Sequence, residues 1–147
     1  MRIPIAAALV LAGAILAGCV TDPYRDPVPG KEARAVLLPG VEETLVAWPV
    51  SYRRGAVFLV ENRTGAPVET LEADLSGPGA PRELTEAVIE DPPGRTATIL
   101  WAPHGTWPLR ARLGEPGGVL LAPGETLRLR LHVLGEPGRC KLALRSR

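Results

Sequence analysis

Strict alternation of apolar and polar residues between regularly spaced glycines and prolines is the feature that most constrains the fold of this 147-residue chain. The clearest case is the segment 126–134, where Leu127, Leu129 and Leu131 alternate with arginine or histidine. A period of two is that of a β-strand with one buried face and one face in water. Turn residues recur roughly every 8–14 positions, a spacing typical of an all-β sandwich or barrel.

The same pattern predicts further strands. The segments 107–113 and 139–145 each place apolar residues on one side and basic residues on the other, and the Gly-Glu-Pro-Gly turn between 134 and 139 is expected to join 126–134 to 139–145 as a hairpin. Continuous apolar residues from 56 to 60 predict a strand in the middle of a sheet. The remaining predicted strands are 34–38, 44–48, 56–61, 68–75 and 96–102, with 83–90 either a strand or a short helix.

Two turn phrases resemble those of immunoglobulin-like domains in bacterial envelope proteins. One runs from residue 60 to residue 68 and turns on Asn62 and Gly65, and the other, at 121–125, precedes the clearest strand. The resemblance implies an all-β fold, an immunoglobulin-like antiparallel β-sandwich over residues 34–147.

The first nineteen residues have the form of an export signal. Arg2 supplies a positive start, and residues 3–15 are apolar or small throughout. This apolar run is shorter than the ~20 residues that a membrane-spanning helix needs, and it has the length of a secretory signal peptide. The run closes with Leu16, Ala17, Gly18 and Cys19.

The order Leu-Ala-Gly-Cys resembles the lipobox of bacterial lipoprotein precursors, in which the cysteine thiol receives diacylglycerol before signal peptidase II cleaves the chain. The resemblance implies that Cys19 is the lipidated first residue of the mature protein. It also implies that Leu16, Ala17 and Gly18 are recognised by the peptidase. The alternative is an ordinary signal peptide with an incidental cysteine.

The residue after the cysteine bears on the location. In enteric-type envelopes an aspartate there favours the inner membrane, so Val20 resembles the outer-membrane class. We therefore expect a lipid-anchored protein of the cell envelope, on the periplasmic side of the outer membrane if the host has two membranes. Residues 19–33, rich in proline and in charges of both signs, predict an extended, flexible tether. The expected organisation is a signal peptide (1–18), a tether (19–33) and a sandwich domain (34–147).

Charge and cysteine content narrow the function. The leader carries one basic residue and no acid, so the rest of the chain has equal numbers of basic and acidic residues. This balance argues against a general nucleic-acid binder. Cys140 is the only other cysteine, so lipidation of Cys19 excludes an internal disulfide. Cys140 is expected to be a small buried residue.

The sequence contains no pattern typical of a catalytic or cofactor site: no GxSxG elbow, HExxH helix, phosphate-binding loop or dinucleotide fingerprint. We therefore expect no enzyme activity, no cofactor and no metal. A metal site from His104, His132 and Cys140 is disfavoured because His132 and Cys140 should face opposite sides of their sheet. Acid–base catalysis by a carboxylate pair stays open, since the chain has 16 acidic residues whose spatial pairing is not visible in a sequence.

Aromatic residues surround one predicted loop. Trp101 and Trp107 flank His104 in a short glycine- and proline-containing segment, and Trp48 precedes a proline. Either the tryptophans fill the ends of the core, or part of the loop with Trp101, His104 and Trp107 contacts a partner, since aromatic residues are enriched at binding hot spots.

The distribution of charge along the chain is uneven. Residues 61–91 contain eight acids and two bases, whereas residues 92–147 contain nine bases and three acids. In one interpretation Glu72 and Asp74 lie beside the arginine strands and form cross-strand pairs. In the other, basic residues that share a sheet form an open patch for an anionic surface. The candidate contact residues are Arg110, Arg112, Arg128, Arg130, Arg139, Lys141 and Arg145.

These observations predict a membrane-anchored, non-catalytic binding or accessory module for envelope assembly or maintenance. The expected partners are the membrane, through the N-terminal lipid, and an envelope protein or anionic envelope polymer. Two alternatives remain: a small periplasmic hydrolase or metal-binding protein, and a structural spacer without a specific ligand.

Overall fold

The computed structural model describes residues 26–49, 55–77, 83–101, 109–135 and 140–147. These ranges contain nine strands and no helix, so the all-β prediction is confirmed. The strands are β1 (Ala33–Leu37), β2 (Glu43–Ala47), β3 (Ala56–Asn62), β4 (Thr70–Ser76), β5 (Glu83–Asp91), β6 (Ala97–Leu100), β7 (Arg110–Gly114), β8 (Thr126–Leu134) and β9 (Lys141–Ser146). The segment 83–90, which in sequence fits either a strand or a short helix, is a strand.

The strands form two sheets packed as a sandwich. Sheet A has the order β1-β3-β8-β5, and sheet B has the order β2-β9-β4-β7-β6. Neighbouring strands are antiparallel, with one exception: β1 runs parallel to β3. The predicted sandwich is therefore present, with one parallel pair at the edge of sheet A.

Alternation along the strands accounts for the core between the sheets. On β8, Leu127, Leu129 and Leu131 are at most 1% exposed, as the period of two predicts. Strand β3 lies inside sheet A, and its Phe58 is fully buried. Trp48 packs edge-on against Phe58 with ring centroids 5.4 Å apart, so Trp48 helps to close one end of the core.

The predicted hairpin between the last two strands is wrong. Strand β8 pairs with β3 and β5 in sheet A, whereas β9 pairs with β2 and β4 in sheet B. The connection between them therefore passes from one sheet to the other. Alternation shows which face of a strand is buried, but both sheets bury one face, so alternation does not identify the neighbouring strand.

The connection from β3 to β4 also passes between the sheets, and hydrogen bonds from the Asn62 side chain hold its conformation. Asn62 is fully buried. Its Nδ2 donates to the carbonyl oxygens of Ala66 (2.8 Å), Leu121 (3.1 Å) and Ala122 (3.3 Å), and its Oδ1 accepts from the backbone and hydroxyl of Thr64. One side chain thus joins two turns at the same end of the sandwich.

Candidate functional site

The acidic strand β4 lies between two arginine-bearing strands in sheet B. Its acidic side chains and their arginines lie on the outer face of that sheet, the face turned away from sheet A. The neighbours of β4 are β7 on one side and β9 on the other. The register places Asp74 opposite Arg110 and Glu72 opposite both Arg112 and Arg145. The cross-strand pairing that the charge distribution suggested is therefore present on this sheet.

The distances show a connected row of ion pairs across sheet B. Arg110 donates to Asp74 at 2.9 Å, which raises the pKa of Arg110, and Arg145 lies 3.7 Å from the same carboxylate. Arg145 also donates to Glu43 at 2.9 Å. A further pair joins Arg112 to Glu72 at 3.9 Å. The side chains of Arg110, Arg112 and Arg145 are 42–46% exposed. Exposed pairs contribute about 0–1 kcal/mol each, so their main effect is to neutralise the face.

A second group of charges lies on the outer face of sheet A. Arg128 and Arg130 are two positions apart on β8 and therefore point to the same side. Glu90 of β5 accepts from Nε of Arg128 at 3.0 Å and from Nε of Arg130. The hydrogen bond from Arg130 is the main reason that the pKa of Glu90 lies below its ordinary value, and Arg128 adds to the effect.

The segment before β1 contacts this group. Both carboxylate oxygens of Asp26 accept from Arg130, at 2.8 and 2.9 Å, and Glu32 accepts from Arg128 at 3.1 Å. The Glu32 side chain is only 6% exposed. Asp26 and Glu32, which fall inside the predicted tether 19–33, therefore both bind arginines of sheet A.

The candidate anionic-surface residues do not share one sheet. Arg110 and Arg112 are on β7 of sheet B, Arg128 and Arg130 are on β8 of sheet A, and Lys141 and Arg145 are on β9. Arg139 lies outside the described residues. The described arginines among these candidates face carboxylates, so contact with an anionic surface stays a prediction, without a single basic face to support it.

The aromatic loop is described only at its first residue. Trp101 follows β6 directly and is 72% exposed. His104 and Trp107 lie outside the described residues. The predicted partner contact through Trp101, His104 and Trp107 therefore stays a prediction.

The thiol and imidazole groups are apart from each other. Cys140 is 2% exposed, and burial raises the pKa of its thiol, in agreement with the predicted small buried residue. His132 belongs to β8 of sheet A, whereas Cys140 immediately precedes β9 of sheet B. In the described part of the chain, no three His, Cys, Asp or Glu side chains are grouped as a metal ion would require. The predicted lipidation residue Cys19 and the peptidase residues Leu16, Ala17 and Gly18 lie outside the described residues.

A groove of about 330 Å³ lies where the β5–β6 turn meets the loop that follows β7. Its walls include Arg95, Glu115 and Val119 among several glycines. Arg95 binds the carboxylate of Glu125 through two hydrogen bonds, at 2.8 and 3.2 Å. The backbone N–H of Ala122 also donates to Glu125 and is the main reason that the pKa of this carboxyl is lowered. The guanidinium at the groove is thus already paired within the fold.

Comparison with protein families, with curated proteins and with solved structures gave no match for this chain. Among the described segments there is no helix long and apolar enough to cross a membrane.

Proposed function

We propose that this chain is the precursor of a lipid-anchored lipoprotein of the cell envelope. The observation that supports the proposal is the order Leu16-Ala17-Gly18-Cys19 at the end of an apolar leader. The mature protein would carry acyl chains on Cys19, and two or more chains would hold it stably on a membrane. Val20 favours the outer membrane, on its periplasmic side, in a host with two membranes.

We further propose that the sandwich acts as a non-catalytic binding or accessory module, with a fold of the immunoglobulin-like kind. Its support is the all-β architecture, which presents two broad sheet faces and the turns that connect their strands. Envelope assembly or maintenance is the setting that an anchored module of this kind fits. The partner would be an envelope protein or an anionic envelope polymer.

A structural spacer is a second candidate, because the ion pairs on both sheets favour it. A protein that binds through charge presents one sign of charge to its partner. Here the arginines of β7, β8 and β9 face carboxylates of β2, β4 and β5 instead. Such a self-neutralised surface is what a spacer without a specific ligand needs.

Lipidation is tested by replacing each cysteine in turn. Cys19→Ser should abolish incorporation of labelled palmitate, leave the precursor uncleaved and change its fractionation. Cys140→Ala is the matched control, because it removes the other cysteine and should leave acylation unchanged. Processing and membrane attachment of Cys19→Ser at the original level would contradict the proposal.

Photocrosslinking in intact cells distinguishes a binding module from a structural spacer. A photoreactive residue would replace Val88 on sheet A, Lys141 on sheet B, or Val119 at the groove, all of which are exposed. One dominant crosslinked protein from one position would support a binding module and locate its surface. The spacer predicts weak, unselective products from all three positions.

A further inference from the structure

The segment that precedes the sandwich is folded back by its own turn. Val28-Pro29-Gly30-Lys31 closes with a hydrogen bond from the Lys31 N–H to the Val28 carbonyl at 2.8 Å, and Gly30 has a φ of +87°. Proline at the second position and a left-handed glycine at the third are the requirements of a type II turn. The Gly30 N–H also donates to Glu32 at 2.8 Å, so the turn is tied to the acid that follows it.

This turn places two carboxylates opposite two arginines. Asp26 stands before the turn and Glu32 after it, and they bind Arg130 and Arg128 respectively. The two oxygens of Asp26 match the planar fork of Arg130, which is a geometry that a lysine would not provide. Glu90 lies between the arginines and completes the cluster.

The outer face of sheet A is also covered near these arginines. Val57 lies opposite Arg130 in the register and, by alternation with the core residue Phe58, points away from sheet B. It is nevertheless only 1% exposed. Ion pairs, a turn and a buried outward valine together indicate a docked segment, which we call the strap (residues 26–32).

We propose that the strap sets the distance between the sandwich and the membrane. The inference rests on the proposed lipidation of Cys19. With the strap docked, only residues 20–25 separate the anchor from the sandwich, a reach of roughly 20 Å when extended. With the strap released, residues 20–32 are available and the reach is roughly 45 Å. The arginines of β8 thus hold the domain against the membrane surface, and release of the strap about doubles its range.

The test measures energy transfer from a donor dye on the full acylated protein to acceptor-labelled lipid in phosphatidylcholine vesicles. The dye is attached through Glu115→Cys, at an exposed turn outside the strap, with the buried Cys140 left in place. The strap is released by Asp26→Asn with Glu32→Gln, which removes charge with little change of shape. Gly30→Val is an independent release variant, because a β-branched residue is strained at a positive φ whereas no atom lies within 4 Å of a side chain there.

The matched control is Glu83→Gln with Glu86→Gln, which removes two charges from β5 of the same sheet. We expect less energy transfer in both release variants and an unchanged signal in the control, with unchanged circular dichroism in all. Several-fold faster hydrogen exchange over residues 28–31 should accompany the loss of transfer. Unchanged transfer and exchange in vesicle-bound release variants would overturn the strap.

Vesicle flotation separates this failure from failure of the proposed anchor. If the wild-type protein carries no acyl chain and does not float with vesicles, the lipoprotein proposal and the distance-setting role both fail. Hydrogen exchange on the same unanchored chain would then still show whether the strap docks. If the protein floats but the release variants behave as wild type, only the strap proposal fails.

Discussion

Replacement of Asn62 tests whether one buried amide holds the end of the sandwich together. The side chain is fully buried: the two hydrogens of its Nδ2 are shared among three carbonyl oxygens, and its Oδ1 faces the backbone N–H and the hydroxyl of Thr64. Its orientation is determined by chemistry: the atom facing the backbone N–H of Thr64 must be the oxygen, so the nitrogen faces the three carbonyl groups. Asparagine therefore satisfies partners that neither alanine nor aspartate can satisfy.

The destabilisation by Asn62→Ala depends on which hydrogen bonds the partners of Asn62 still make in the variant. In the variant the Thr64 hydroxyl can give its single proton to the Ala66 carbonyl, because Oδ1 no longer competes for it. The Leu121 and Ala122 carbonyls still accept from backbone N–H groups. No carbonyl is left without a donor. The loss is then the net value of about three buried hydrogen bonds, at about 1 kcal/mol each, so we expect the free energy of unfolding to fall by about 3 kcal/mol.

Asn62→Asp should be worse at neutral pH although it is closer in shape. One carboxylate oxygen would replace the amide nitrogen and face three carbonyl oxygens at 2.8–3.3 Å with no donor between them. An uncompensated buried charge costs about 3–5 kcal/mol, or the carboxyl stays protonated through a raised pKa. We expect Asn62→Asp to be less stable than Asn62→Ala by about 2 kcal/mol or more at pH 7.

The assay is equilibrium urea unfolding of both variants between pH 4.5 and pH 8. A carboxyl whose pKa is raised in the folded state binds its proton more tightly there, so the stability of Asn62→Asp falls as pH rises from its unfolded pKa through its folded pKa. The gap between the two variants should therefore close as the pH is lowered. A gap that is absent at pH 7, or that is independent of pH, would refute the electrostatic reasoning.

Three further predictions concern a close backbone approach and the two ion-pair groups. Gly114→Ala should lower the free energy of unfolding by about 3 kcal/mol, because the added Cβ would lie 2.4 Å from a backbone oxygen in a residue with φ +80°. Gly94→Ala is the control: its φ is +83° but the space around it is open, so it should cost only about 1 kcal/mol. Equal costs of the two variants in thermal unfolding would contradict this prediction. Asp74→Asn should cost less than about 1 kcal/mol in low salt and nothing measurable in 0.5 M salt, a result checked by urea unfolding. The pKa of Glu90 lies below its ordinary value of 4.5, so the stabilisation that ionised Glu90 provides is complete above pH 4.5 and is lost as the pH falls through the lowered pKa. Glu90→Gln should therefore make stability depend less on pH in this acidic range. An acid-unfolding curve identical to that of the wild type would contradict the prediction.

The positions of the strands were easier to predict from the sequence than the identity of their neighbours in the sheets. Strand β8 was predicted at 126–134 and found at Thr126–Leu134, because strict alternation marks a half-buried strand along its whole length. Of the two interpretations of the charge pattern, an acidic strand beside arginine strands is found for β4 with β7 and β9 in sheet B, whereas the arginine strand β8 lies in sheet A. The hairpin from β8 to β9 was wrong because a period of two carries no information about the neighbouring strand.

Long-range polar contacts were not predictable from local patterns. The Asn-Arg-Thr-Gly phrase indicated a turn at Asn62, but two of the carbonyls that Asn62 binds are 59 and 60 residues away. Composition alone predicts that Asp26 and Glu32 belong to a tether, whereas their arginine partners lie 104 and 96 residues further along the chain. Such contacts depend on how the strands are ordered in the sheets, and no repeat or spacing in the sequence records that order.

The two polar connections should differ in how easily they open. Asn62 is fully buried, so its network opens only with the fold, whereas the Asp26 side chain is 40% exposed and its charge pair is weakened by salt. Raising the salt concentration from 0.05 M to 0.5 M should therefore speed hydrogen exchange over residues 28–31 and leave the amides of 121–125 almost unchanged. The strap is then a releasable contact on a stable sandwich. Equal responses at the two places would mean that the strap opens only when the whole domain unfolds, and the proposed anchor would then lie at a fixed distance from the domain.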